Sequence, residues 1–118
     1  MNKVTITVFL ILFSVLLFSV SCKERNQKID TLKELYKIYS NGEIDECSLN
    51  GQTVFTCGIN AYDAGSTIYD LNGNVIGNCD YAWGGVDTVC FEVTGCKTVY
   101  CVKDNIWGKS AVNHYHLK

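Results

Sequence analysis

The chain contains no proline, one methionine, two histidines and no block of like charge. Without proline there is no polyproline-type linker. Ten Lys/Arg against 12 Asp/Glu are scattered through 118 residues. Binding to nucleic acid leaves a footprint of clustered Lys/Arg, so no nucleic-acid partner is expected. Gly-x-Ser-x-Gly, a phosphate-cradling glycine loop and Cys-x-x-Cys are missing as well. Their absence removes the common serine-hydrolase, nucleotide-binding and thioredoxin-like readings. The length allows one domain.

Hydrophobicity is unevenly spread. Residues 4–18 form an apolar run of 15 interrupted only by Thr5, Thr7 and Ser14, after the basic start Met1-Asn2-Lys3. A membrane-spanning helix needs about 20 apolar residues, and the shorter run has the form of a secretory signal h-region. Without residues 1–21 the chain is about 43% apolar, an ordinary globular value. Ser19-Val20-Ser21-Cys22 follows the run, and a small residue before cysteine resembles a bacterial lipoprotein lipobox. That resemblance implies diacylglycerol on the thiol of Cys22. Ser19-x-Ser21 also suits ordinary signal peptidase, which would leave Cys22 free or disulfide-bonded.

Seven cysteines in so short a chain point to an oxidising compartment. Setting Cys22 aside leaves Cys47, Cys57, Cys79, Cys90, Cys96 and Cys101, an even set of six. They are expected to be disulfide staples, and six cysteines allow 15 connectivities, among which the sequence does not choose. The organisation is then a lipoprotein signal peptide over residues 1–21, a lipid anchor and tether over 22–28, and one disulfide-rich domain over 29–118. An extended tether of six residues would reach about 20 Å.

Residues 29–40 read as a helix, with Ile29, Leu32, Leu35, Tyr36 and Tyr39 on one face and Ile38 off it. Thr31-x-x-Glu34 has the form of a capping box, with Asp30 or Asn26 as the alternative caps, and Asn41-Gly42 supplies a stop. Short β-rich runs between glycine turns follow. Asn50-Gly51 between residues 44–48 and 52–57 is a strong hairpin signal. Leu71-Asn72-Gly73 joins a second hairpin. Thr94-Gly95 is expected to join a third, from 88–93 to 96–102, with Glu92 opposite Lys97. Residues 111–117 are expected to form a last strand. The fold class is α+β: one N-terminal helix packed on a small twisted antiparallel sheet of hairpins, stapled by disulfides.

Candidate chemistry is sparse. Asp70-x-Asn72-x-Asn74 opens like a calcium loop but has Val75 where glycine is needed and Tyr81 at the acidic position, so it reads as a turn. His114-x-His116 would place two rings on one side of a strand, fewer ligands than zinc takes. Glu43, Asp45 and Glu46 read as a solvated edge. No catalytic residue, metal site or cofactor is expected, and the chain is not expected to be an enzyme. Among Tyr62, Tyr69, Tyr81, Trp83 and Trp107, the pair Tyr81 and Trp83 is set among glycine and asparagine. That pair is the candidate contact with a partner, an envelope protein or a carbohydrate.

Asn50-Gly51-Gln52-Thr53-Val54-Phe55, Tyr69-Asp70-Leu71-Asn72-Gly73-Asn74-Val75-Ile76, the Gly84-Gly85 loop and Cys90 resemble a family of uncharacterised small bacterial envelope domains. The resemblance covers residues 29–91. It implies a lipoprotein of the cell envelope and carries no activity. Phe55-Thr56-Cys57 and Trp107-Gly108-Lys109-Ser110-Ala111 more weakly resemble periplasmic lysozyme-inhibitor lipoproteins. The expected function is a membrane-anchored, non-enzymatic binding or structural module. The alternative is an inhibitor of a lysozyme or secreted protease. In a detergent phase-separation experiment the mature protein should enter the detergent phase, since two or more acyl chains anchor firmly. A water-soluble product with an unmodified Cys22 would refute the lipid anchor.

Overall fold

The computed structural model describes residues 2–118. The first element, α1, runs unbroken over Lys3–Tyr39. Nothing between residues 19 and 30 interrupts it, because that stretch holds no proline or glycine and is rich in Lys, Glu, Arg and Gln, which tolerate helix well. The expected extended tether over residues 22–28 is therefore helical, spanning about 10 Å at 1.5 Å per residue. Thr31 does not cap a helix start. It lies inside α1 and its Oγ1 donates to the Leu71 carbonyl at 2.6 Å.

Seven strands follow: β1 Gly42–Leu49, β2 Gln52–Ile59, β3 Ser66–Tyr69, β4 Val75–Asp80, β5 Gly85–Val86, β6 Thr94–Cys101 and β7 Val112–Asn113. They form one antiparallel sheet in the order β5-β4-β3-β2-β1-β6-β7. The architecture is the α+β fold expected: one helix on an antiparallel sheet. The β1–β2 turn has φ of 50° at Asn50 and 78° at Gly51, the two left-handed positions that make Asn-Gly favoured in a two-residue hairpin.

Two layers of side chains cover the sheet. On the helix side, Leu32, Leu35 and Tyr39 meet Ile44, Phe55, Cys57, Tyr69, Val99, Tyr100 and Leu117. Tyr39 Oη and Tyr69 Oη are hydrogen-bonded at 2.8 Å inside this layer, and Tyr36 stands edge-on to Tyr100 at 5.0 Å. Ile38 is exposed, as its off-face position requires. On the other side, Cys47, Val54, Ile68 and Cys79 lie under Val89, Cys90 and Val93. Gly77 makes that approach possible: a Cβ there would stand 2.2 Å from Val89 Cγ1.

The third hairpin is corrected. Residues Thr88–Phe91 form a 3-10 turn across this second face, held by the Cys79–Cys90 disulfide. Strand β6 instead takes the free edge of β1, tied there by Cys47–Cys96, and Lys97 stands opposite Glu46 rather than Glu92. The last strand shrinks to Val112–Asn113, after which Asn113 exchanges two hydrogen bonds with the Leu117 backbone and seats Leu117 in the core.

The expectation that all six domain cysteines are bridged is also corrected. Cys57 and Cys101 are buried thiols. Cys57 lies opposite Ile44 of β1 and Cys101 opposite Glu43. Consecutive strand residues point to opposite faces, and β2 and β6 are separated by β1, about 10 Å for two strand spacings. Those two thiols cannot meet. Each disulfide that does form closes a loop and should add about 2–4 kcal/mol. Thiol titration of the folded, unreduced protein should leave Cys57 and Cys101 unreacted, and denaturant should release both. Release of neither would mean that they are bonded after all.

Candidate functional site

Chain direction gives the domain two ends. The strand entered from α1 begins at Gly42, so β1 runs back toward the N-terminal part of the helix. The β1–β2 turn and the β3–β4 turn consequently share the end where α1 enters, while residues 60–65, 81–84 and 102–111 lie at the far end. The six residues of β4 separate the two ends by about 20 Å.

At the near end, Cys22 is exposed on α1. Only one turn and a half beyond it the helix is clamped. The Gln27 amide donates to Asn72 Oδ1, and Lys28 Nζ lies 3.0 Å from Glu46 Oε1. Tyr115 Oη donates to Glu46 Oε2 at 2.9 Å, and Lys28 Nζ stands 5.9 Å from the Tyr115 ring centre. Burial disfavours the charge on Lys28, but the hydrogen bond and charge of Glu46 outweigh it and raise the ammonium pKa. Strands β2 and β3 pair only over Phe55–Cys57 and Thr67–Tyr69. Nearer the helix they splay, opening a cleft of about 620 Å³ with Leu49, Val54 and Ile76 among its apolar residues and Glu24, Gln27 and Gln52 among its polar ones.

The Asp70 turn borders this cleft. Asp70 Oδ1 accepts from the backbone N–H of Asn72 and of Asn74, both at 2.9 Å, and Oδ2 accepts from the Asn74 amide at 3.2 Å. The carboxylate is spent on the turn, the arrangement that Asp favours at a turn start. His114 follows β7 and His116 has φ of 53°, so the two rings do not alternate along one strand.

At the far end, the loop of residues 81–84 projects Tyr81 at 63% exposure and Trp83 at 80%. Phe91, likewise exposed, lies edge-on to Tyr81 at 6.3 Å. The loop is braced from both sides. Cys79–Cys90 fixes the strand that precedes it. Asp80 Oδ1 accepts from the Trp83 N–H at 3.2 Å, and Gly84 takes φ of 79°. Tyr81 and Trp83, singled out from their neighbours in the sequence, are thus both exposed on one loop, at the end of the domain away from Cys22. Tyr62 is also exposed at this end, whereas Tyr69 is core and Trp107 is partly covered against Gly58.

The expected solvated acidic edge is different in the structure. Glu43 and Asp45 alternate onto the face of β1 that carries Cys101, under the 102–111 loop. Asn105 organises that loop, bonding the Val102 and Lys109 carbonyls at 2.8 Å and the Lys109 N–H at 3.0 Å. This delivers Lys109 Nζ to Glu43 Oε2 at 2.7 Å. Asp45 Oδ1 is buried without a hydrogen-bond partner. Burial pushes the Glu43 carboxyl above the usual range, with the Asp45 charge adding to it and Lys109 opposing. Burial also raises the Cys101 thiol pKa, with the Glu43 charge adding to it, which disfavours the thiolate. The period-two placement of Glu43 and Asp45 beside Cys47 was the one signal for this cluster in the sequence.

Comparison of the chain with protein-family models, with curated proteins and with solved structures finds no match in any of the three.

The Glu43 shift has a consequence for stability. A carboxyl whose folded pKa is raised from 4.5 contributes stability at low pH that is lost as pH rises through the folded value. Lys109, raised on balance by Glu43 against burial, changes charge only at much higher pH. Denaturation midpoints between about pH 4 and pH 7 should therefore fall more, or rise less, in the wild type than in Glu43→Gln. Parallel profiles would show that Glu43 is not buried in this way.

Proposed function

We propose that the chain is a bacterial envelope lipoprotein, held at a membrane through Cys22, that works as a non-enzymatic binding module. The carrying observation is the disulfide-braced aromatic loop: Tyr81, Trp83 and Phe91 stand exposed on a rigid support, at the end of the domain opposite the helix that bears Cys22. Exposed aromatics offer large contact area with little side-chain freedom to lose, and bracing lowers the ordering cost of binding. The partner is an envelope protein or a carbohydrate with a surface that accepts these rings.

A non-enzymatic reading is supported by how the acidic groups are used. Asp70 is tied into its turn, Glu46 is shared by Lys28 and Tyr115, and Glu43 is covered by Lys109. Carboxylates held this way lack the open pair that glycoside hydrolysis requires. The resemblance to small envelope lipoprotein domains agrees with this reading. The inhibitor alternative draws on the same loop, since a braced, exposed loop suits insertion into an enzyme cleft.

A photo-cross-linker placed at Ala82, between the two rings, should capture a specific partner in intact envelopes. Trp83→Ala and Tyr81→Ala should each weaken that interaction about tenfold or more, as buried aromatic anchors do. Both should leave stability within about 0.5 kcal/mol, as expected of exposed positions. A captured lysozyme or protease whose turnover the added domain stops at micromolar concentration would select the inhibitor reading. Equal binding by both variants would remove the loop from the interface.

A further inference from the structure

We infer that the aromatic loop and the acidic side chains around it form a docking surface for a basic protein face, one that presents arginine or lysine. The inference rests on reading the loop as a binding site and names the chemistry of its partner.

The first observation is where the charges fall. No run of like charge marks the sequence, yet the fold sorts the two signs. Residues 38–96 contain eight Asp/Glu and no Lys or Arg. The bases lie on α1 and from Lys97 onward, so strands β1 to β5 and the 3-10 turn carry acids alone. The ion pairs among the described residues draw on Glu34, Glu43 and Glu46. Asp63, Asp80, Asp87 and Glu92 belong to none of them.

The second observation is that these four acids surround the exposed rings. Asp80 opens the loop that bears Tyr81 and Trp83, and its Oδ1 holds the Trp83 N–H. Asp87 and Glu92 stand at the two ends of the 3-10 turn that carries Phe91, whose ring lies 6.3 Å from that of Tyr81. Asp63 follows the exposed Tyr62, and their loop packs on Asp80: a Cβ on Gly65 would stand 3.2 Å from Asp80 Cα. Of the two bases in the far-end loops, Lys109 is paired with Glu43. The other, Lys103, follows β6, which is four places from β4 in the sheet, about 19 Å by strand spacing.

The faces of Trp, Tyr and Phe rings attract cations. Carboxylates accept the N–H groups of guanidinium and ammonium, and arginine also stacks flat on rings. A surface that offers both, with no base among them, complements a partner of positive charge and repels an acidic one. The same field speeds the encounter, and salt weakens it.

The test uses three dye-labelled probes: a peptide of alternating glycine and arginine, one of alternating glycine and glutamate, and an N-acetylglucosamine oligomer. Each is titrated with the full chain in non-ionic detergent and followed by fluorescence anisotropy. The wild type is compared with Trp83→Ala and Asp63→Asn/Glu92→Gln, and with Glu24→Gln/Asp30→Asn on α1 as a control of equal charge change. Asn tolerates the left-handed backbone of Asp63, where φ is 58°, and protection of Cys57 from thiol reagents verifies each fold. The arginine peptide should bind the wild type. Its binding should weaken about fivefold in Trp83→Ala and in Asp63→Asn/Glu92→Gln, with the control unchanged. Raising salt from about 0.1 M to about 1 M, which shortens screening from about 10 Å to about 3 Å, should weaken it as well. The glutamate peptide should not bind. Arginine-peptide binding that ignores Trp83→Ala, or that falls equally in the control, would overturn the docking surface, because bulk charge would then explain it. Binding of the sugar oligomer or the glutamate peptide through Trp83, without binding of the arginine peptide, would overturn the basic partner and keep the loop as a binding site. Binding of no probe would also overturn the basic partner, while the cross-link at Ala82 decides the role of the loop separately.

Discussion

Strand β1 is the member on which both layers of the domain are laid. It is the only strand joined to β2 on one edge and β6 on the other, and it follows α1 directly. Its alternation sends Ile44 and Glu46 toward the helix and Glu43, Asp45 and Cys47 to the opposite face. Ile44 anchors the helix-side core, Glu46 clamps Lys28 and Tyr115, Cys47 staples β6, and Glu43 receives Lys109. A slip of β1 by one residue would exchange these sets and dismantle all four at once.

The two faces are stabilised by different means. The helix side has Leu32, Leu35 and Tyr39 to cover it and needs no cross-link, and Cys57 remains there as a buried thiol with a strongly raised pKa caused first by burial. The opposite side is covered by one 3-10 turn and a loop, too little apolar surface to hold a layer closed in a domain of this size. Both disulfides lie on that side. They restrict the unfolded chain where packing contributes least.

Local chemistry was legible in the sequence and long-range pairing was not. Helical spacing gave the face of Leu32, Leu35 and Tyr39, and Asn50-Gly51 and Leu71-Asn72-Gly73 gave the two turns, because each of these features is decided within a few residues. The partner of β6 is β1, whose Cys47 lies 49 positions before Cys96, and no local pattern encodes such a pairing. The β-rich run of residues 88–93 reads locally as a strand. What bends it into a 3-10 turn is contact with Gly77 and Cys79, a tertiary effect that overrides propensity. The exposure of Tyr81 and Trp83 was readable from their glycine-rich setting. The burial of Glu43 was not, since it depends on how Asn105 folds the loop above it.

The separation of the two ends follows from the same topology. An antiparallel meander that begins where a helix ends must place its first and third turns beside the start of that helix and its second and fourth loops away from it. The fourth loop carries Tyr81 and Trp83, and the helix carries Cys22. Had the aromatic pair fallen in either hairpin turn, an anchor at Cys22 would have pressed it against the bilayer. Placed where it is, with about 20 Å of β4 between, the loop faces away from whatever surface the helix enters. On the proposed reading, its bracing by Cys79–Cys90 would serve recognition as well as stability, because a loop held in one shape loses less freedom when a partner closes over it.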